Sequence, residues 1–99
     1  MVSVKTLELH PLALEESEAA AAWYAARDPR VAAQFVADLE ANFERVLEAP
    51  RRWPLHLHGM RRVPLTRFPY VIWYRDESSR VLVVAVAHGR RKPGYWKER

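Results

Sequence analysis

The chain has 99 residues, 49% of them hydrophobic and 28% charged, which suits one compact domain because so short a chain has no room for two cores. No cysteine is present, so disulfide staples, thiolate metal sites and thiol nucleophiles are excluded, and a reducing cytoplasm is the expected location. The formal charge of +4 conceals a polar division: residues 1–50 carry four Lys/Arg against nine Asp/Glu, and residues 51–99 carry twelve against three. The second half, at net +9, is built to meet a polyanion or an acidic protein.

Val2 to Leu9 reads as a short strand, with a phase change between Val4 and Leu7 that suggests a bulge. This segment lacks a basic-then-apolar signal pattern, so no export is expected. His10-Pro11 breaks the strand, and Pro11 opens a helix expected to run to Arg27. Glu15, Glu16 and Glu18 fall early in it, toward the positive end of the helix dipole. Leu12, Ala19, Trp23 and Ala26 form the expected buried stripe, interrupted by Glu16, and Trp23 reads as structural.

Asp28-Pro29 repeats the start signal, a capping carboxylate before a first-turn proline. Ala32, Phe35, Leu39, Phe43 and Val46 recur at helical spacing, with Asp38, Glu40 and Glu44 assigned to solvent, and Ala49-Pro50 ends this second helix. A loop containing Pro50, Pro54 and Gly59 follows. Arg61 to Thr66 then reads as a strand that Pro64 places at a sheet edge or bulge, since proline donates nothing to a ladder. Tyr70 to Arg75 is a second strand, Asp76 to Ser79 a hairpin turn, and Arg80 to Ala87 a third strand apolar on both faces.

The expected fold is therefore α+β in two layers, with a helical hairpin on one face of a mainly antiparallel four-stranded sheet in the order β-α-α-β-β-β. The opposite face and the tail from Gly89 to Arg99 are where the surplus arginine is expected. The longest apolar runs, Ala19 to Ala26 and Val81 to Ala87, fall short of the ~20 residues that cross a bilayer, so no membrane association is expected. His56 and His58 lack a third ligand at a useful spacing, so neither metal nor cofactor is expected. No phosphate loop, nucleophile triad or paired carboxylates mark a conventional enzyme.

Phe68 to Arg75, followed by Val84-Ala85-Val86-Ala87-His88-Gly89-Arg90-Arg91-Lys92-Pro93-Gly94-Tyr95-Trp96, resembles the RelE/ParE superfamily of type II toxin–antitoxin modules, and the likeness extends along the chain. Ala20 to Tyr24 resembles the first helix of that family. The resemblance implies a growth-inhibiting toxin, of the plasmid-stabilisation kind, held in a hetero-oligomer with a cognate antitoxin. In its RelE-like branch, cleavage of ribosome-bound messenger RNA would fall to Arg62, Arg91 and Tyr95 as catalytic candidates, with Arg90 an alternative to Arg91. Two charges expected of that branch are missing, because Pro64 replaces a lysine and Val71 an arginine. Each lost oxyanion donor weakens such a site by ~3 to 4 kcal/mol.

The ParE-like branch, which poisons DNA gyrase without a recognised active site, is the closer resemblance. Target or nucleic-acid contact is then expected at Arg61, Arg62, Arg67, His88, Arg90, Arg91, Lys92, Tyr95 and Trp96. Arginine beside an aromatic ring can hold phosphate and stack on a base or fill a partner's pocket. A non-toxic binding module derived from the same fold is the remaining alternative.

Overall fold

The computed structural model describes residues 5–99. Strand β1 spans Thr6–Leu9, helix α1 Pro11–Ala25 and helix α2 Pro29–Glu48; strands β2 (Arg61–Pro64), β3 (Tyr70–Asp76) and β4 (Arg80–His88) complete the sheet. The expected first strand from Val2 thus lies partly outside the described residues. Both helices start as their sequences dictate: the His10 ring accepts from the Leu12 N–H, and the Asp28 carboxylate accepts from the Arg30 N–H. That Arg30 also pairs with Asp28 holds the Asp28 carboxyl below its ordinary range.

The sheet order is β1-β4-β3-β2, so the last strand in sequence is central and the proline-bearing β2 lies at an edge, as expected. Antiparallel pairing joins β2 to β3 and β3 to β4; β1 runs parallel to β4, from Thr6 opposite Arg80 to Leu9 opposite Val83. Trp73 faces Ala85 but Tyr74 faces Val83, leaving Val84 as the extra residue of a bulge. The bulge resets the alternation along β4. Before β2, His58 and Gly59 both take positive φ, at 55° and 71°, and reverse the chain.

Two cores result. On the helix side, Phe35, Leu39 and Val46 of α2 and Ala13 and Ala20 of α1 cover Val63, Ile72, Tyr74, Val81, Val83 and Val86. Phe35 sits among Tyr24, Phe68 and Tyr70 with ring centroids 5.3 to 5.4 Å away, in tilted or edge-on geometries. Tyr74 is fully buried there and donates its hydroxyl to the Pro50 carbonyl at 2.7 Å. On the other side, the tail folds back and sets Trp96 against Trp73 at 4.5 Å between centroids, over Met60, Val71, Leu82 and Val84.

Four expectations change. The second sheet face is apolar and closed by the tail, so the arginine surplus lies around its rim; Trp96 has no exposed surface for a target. Helix α1 ends at Ala25, and it buries Ala13, Ser17 and Ala20 instead of the Leu12, Ala19, Trp23 and Ala26 stripe. No acid lies in its first turn, so Glu15, Glu16 and Glu18 are too far along to cap the dipole. Asp38, assigned to solvent, is buried, because the loop after β2 presents two backbone donors to it. Its carboxylate accepts from the N–H groups of Thr66 at 3.2 Å and Arg67 at 2.8 Å, and from the Asn42 amide at 3.0 Å.

Candidate functional site

Strand β4 is nine residues long, but its parallel neighbour β1 is only four, so among the described residues the upper half of one β4 edge has no strand beside it. Backbone donors and acceptors along such an edge need other partners. The His10 N–H reaches the Val83 carbonyl at 2.9 Å, the last backbone partner on this side among the described residues. Beyond it the partners are side chains: Arg99 donates to the Val84 carbonyl at 2.9 Å, and Glu16 accepts from the Val86 N–H at 3.0 Å.

Glu16 is the centre of this arrangement. Besides Val86, its carboxylate accepts from the Tyr95 hydroxyl at 2.7 Å and from two nitrogens of Arg99 at 2.9 and 3.2 Å, with Arg91 3.8 Å away. The Glu16 and Arg99 side chains retain only 17% and 12% of their exposure, so the pair works at low screening. Burial, then the hydrogen bond to Glu16, pushes the Tyr95 hydroxyl up to about 12. One carboxylate on the first helix thereby fastens the tail to the sheet edge.

Next to this latch a groove of about 670 Å³ runs between α1 and the end of β4. Ala19 and Ala20 leave it open, Tyr24, Tyr70 and Val86 form its apolar walls, and His88 and Arg91 close one end. Trp23 stands at its border with half its surface in solvent. The Arg27 guanidinium lies 3.4 Å from the Trp23 ring centroid and donates to the Trp23 carbonyl at 2.8 Å. Trp23, expected in the buried stripe, is therefore an exposed indole held in place by a stacked cation and not a core residue.

The candidate contact residues separate into groups. Arg62, His88 and Arg91 line a notch of about 110 Å³ at the end of the sheet, while Arg90 and Lys92 extend into solvent beside it. Arg61 turns inward and donates to the Trp53 carbonyl. Arg67, in the loop between β2 and β3, is not among the notch residues and lies instead on the helix side, beside Asp38 and Ala41 of α2. Tyr95 sits under Arg91, 3.4 Å from ring centroid to guanidinium, but its hydroxyl is held by Glu16 on the groove side. Pro64 and Val71, the two positions where the nuclease branch would carry charge, are paired across β2 and β3. Glu16, Trp23 as an exposed residue, Tyr70 and Arg99 carry the site without having been singled out from sequence; the one available signal was an acid interrupting an apolar helix.

Among the described residues no group of three or more His, Asp or Glu side chains is placed to hold a metal ion, and no helix is long and apolar enough to cross a membrane. No curated protein matches the sequence. In structure the chain is similar to a solved chain of the chromosomal ParDE toxin–antitoxin system from P. aeruginosa, with a TM-score of 0.76 and 17% identity. The match covers 86% of this chain and 96% of that one. Residues 7–93 match the family described as the ParE toxin of the type II toxin–antitoxin system parDE, a span that takes in both helices, the four strands but for Thr6, and the start of the tail. The chain belongs to the ParE toxin family.

Proposed function

We propose that this protein is the growth-inhibiting toxin of a type II module, acting in the cytoplasm by binding DNA gyrase, and that a cognate antitoxin neutralises it by occupying the groove between α1 and β4. The observation that carries the reading is the groove itself: an apolar channel beside an incompletely paired strand edge, bordered by an anchored and exposed Trp23. An antitoxin segment with apolar residues for the channel and acids toward Arg91 and His88 fits that surface in shape and charge. The family membership supports the toxin role, and the origin of the structural neighbour in a ParDE toxin–antitoxin system supports an antitoxin partner.

The ribonuclease alternative draws less support. Its tyrosine candidate has its hydroxyl engaged by Glu16, and Pro64 and Val71 bring no charge to the sheet end.

Inducible expression in bacteria tests the reading. Growth arrest with damaged nucleoids and continuing translation is the expected outcome, with inhibition of purified gyrase by the purified chain; rapid translation arrest with cleaved messages would replace gyrase by the ribosome. Trp23→Ala is expected to fold normally, with stability within ~0.5 kcal/mol of the parent because its ring is half exposed. It should remain toxic but resist neutralisation, read as antitoxin affinity weakened by about tenfold or more, the level at which an anchor residue counts.

A further inference from the structure

Between Glu48 and Asp76 the sequence has no acid and carries six arginines, and the first part of that stretch, Arg51 to Gly59, forms the loop that leads into β2. Leu55 in this loop is 64% exposed, more than any other large apolar side chain among the described residues, and Leu57 is 41% exposed. A single exposed leucine is ordinary on a protein surface, but two on one short basic turn mark a place of contact.

The turn is firmly held. Leu55 bridges Arg61, the His56 N–H donates to the Met60 carbonyl at 2.7 Å, and the Met60 N–H donates to the Leu57 carbonyl at 3.0 Å. Trp53 lies edge-on to Tyr74, and the guanidinium groups of Arg45 and Arg52 each stand 5.3 Å from its ring centroid. His56 stands edge-on to Trp73 at 5.3 Å and His58 edge-on to Trp96 at 5.9 Å. The histidine rings rest against the indoles, and the leucines that alternate with them are left to solvent. A surface this rigid loses little conformational entropy when a partner binds.

The sheet order sets β2 at one margin and β1 at the other, so this turn lies across the sheet from the groove where α1 meets β4. The groove serves the antitoxin in the function proposed above and leaves the target without an assigned surface. We propose that the turn from Arg51 to Leu57 is the surface by which the toxin engages its target, a protein face with acidic side chains around an apolar pocket. The two leucines fill the pocket. Arg51, which is exposed, and Arg52, which pairs with no carboxylate among the described residues, meet the acids. A second copy of the chain is a poor occupant, because a two-fold contact through this turn would set Arg51 and Arg52 against their own copies. A lipid surface suits a broad apolar helix face, whereas two leucines on a fixed turn match a pocket. An antitoxin seated in the groove keeps a large target away by its bulk, without covering the turn. The assignment rests on the toxin role proposed above, but not on gyrase being the target.

The test compares the parent chain with Leu55→Ser/Leu57→Ser, with Arg52→Glu and, as control, with Leu14→Ser, a comparably exposed leucine of α1, for growth arrest on induced expression and for inhibition of purified gyrase. All the substitutions fall on exposed side chains, so circular dichroism and denaturation midpoints are expected to match the parent. The double variant is expected to abolish growth arrest and to raise the concentration for half-inhibition of gyrase by about tenfold or more, Arg52→Glu to act in the same direction, and Leu14→Ser to change neither. If the parent arrests growth without inhibiting gyrase, loss of arrest in the double variant still supports the turn, as the contact for another target. Arrest by the double variant equal to the parent's would overturn the assignment and leave the toxin role standing; a parent chain that arrests nothing would remove both. Binding of the parent to vesicles of phosphatidylcholine and phosphatidylglycerol, or its self-association in the ultracentrifuge, either one lost with the two leucines, would also overturn it by giving the turn a different occupant.

Discussion

The sheet has two covers of unequal construction. On one face, two helices of 15 and 20 residues lay Phe35, Leu39, Val46 and Ala20 into a wide aromatic and aliphatic layer. On the other, a tail without regular secondary structure sets down one large residue, Trp96, and is fastened at its margin by Glu16. The first cover is stabilised by apolar area spread over many residues; the second depends on a single indole and a single carboxylate. The groove opens at the seam between the two covers, walled by α1 and closed at one end by Arg91 of the tail, and the notch lies on the tail side of the β4 end. A binding surface next to a lightly held segment can be reshaped by a partner at small cost, whereas the helical layer has to stay intact.

The largest effect that would break this contrast is Phe35→Ala. It empties the centre of the aromatic cluster and is expected to remove about 3 to 5 kcal/mol of stability, a large part of the ~5 to 15 kcal/mol typical of a domain. Denaturant unfolding should show the whole chain losing stability together.

Glu16→Ala probes the other cover. Its loss leaves the Val86 N–H and Arg99 without their acceptor, at about 2 to 3 kcal/mol, and the effect should be local. Amide exchange should accelerate from Val84 through the tail while the amides around Phe35 keep the global rate. Uniform acceleration across both faces would show that the covers unfold as one.

Tyr95→Phe is the mildest of the three, about 1 kcal/mol at neutral pH for one hydrogen bond. Its signature is alkaline. Burial and Glu16 raise the hydroxyl from 10.0 to about 12, so the protonated form stabilises the folded chain fully below pH 10, and that contribution is lost as the pH climbs through 12. Tyr74, also raised to about 12 by burial, loses its contribution over the same range in both proteins. The phenylalanine variant should therefore show a shallower fall in stability between pH 10 and 12, and an identical slope would remove Tyr95 from the latch.

The difference between the covers also governed what could be read in advance. Helix α2 presents apolar residues against a charged background, so its stripe, its cap and its ends were legible, as were the turn after Asp76 and the double-sided apolar run of β4. Helix α1 was misread for a local reason: alanines occupy positions 13, 19–22, 25 and 26, on every face, and the pattern cannot distinguish the inner side from the outer. Asp38 and Glu16 were misjudged for a non-local reason. Asp38 is buried and Glu16 mostly covered because of backbone donors distant in sequence, Thr66 and Arg67 for one and Val86 for the other, and periodicity within a helix carries no information about those partners. The basic sheet end was anticipated at Arg62, His88 and Arg91, but the inward turn of Arg61, the separation of Arg67 and the burial of Trp96 required the register of the strands.

The position of β4 in the sheet has a consequence for how the chain comes together. Thr6 must find Arg80, and Glu16 of α1 must find Val86, so loops of seventy residues or more have to close before β1 and α1 join the locally formed β3–β4 hairpin. Such long-range pairing slows folding relative to a chain of local contacts. On a ribosome, the helical hairpin and the edge strands emerge first and wait with their apolar sides uncovered until residues 80–88 arrive. The domain forms late and nearly all at once, leaving an interval during synthesis when an already present partner meets an unfinished chain and not a finished one.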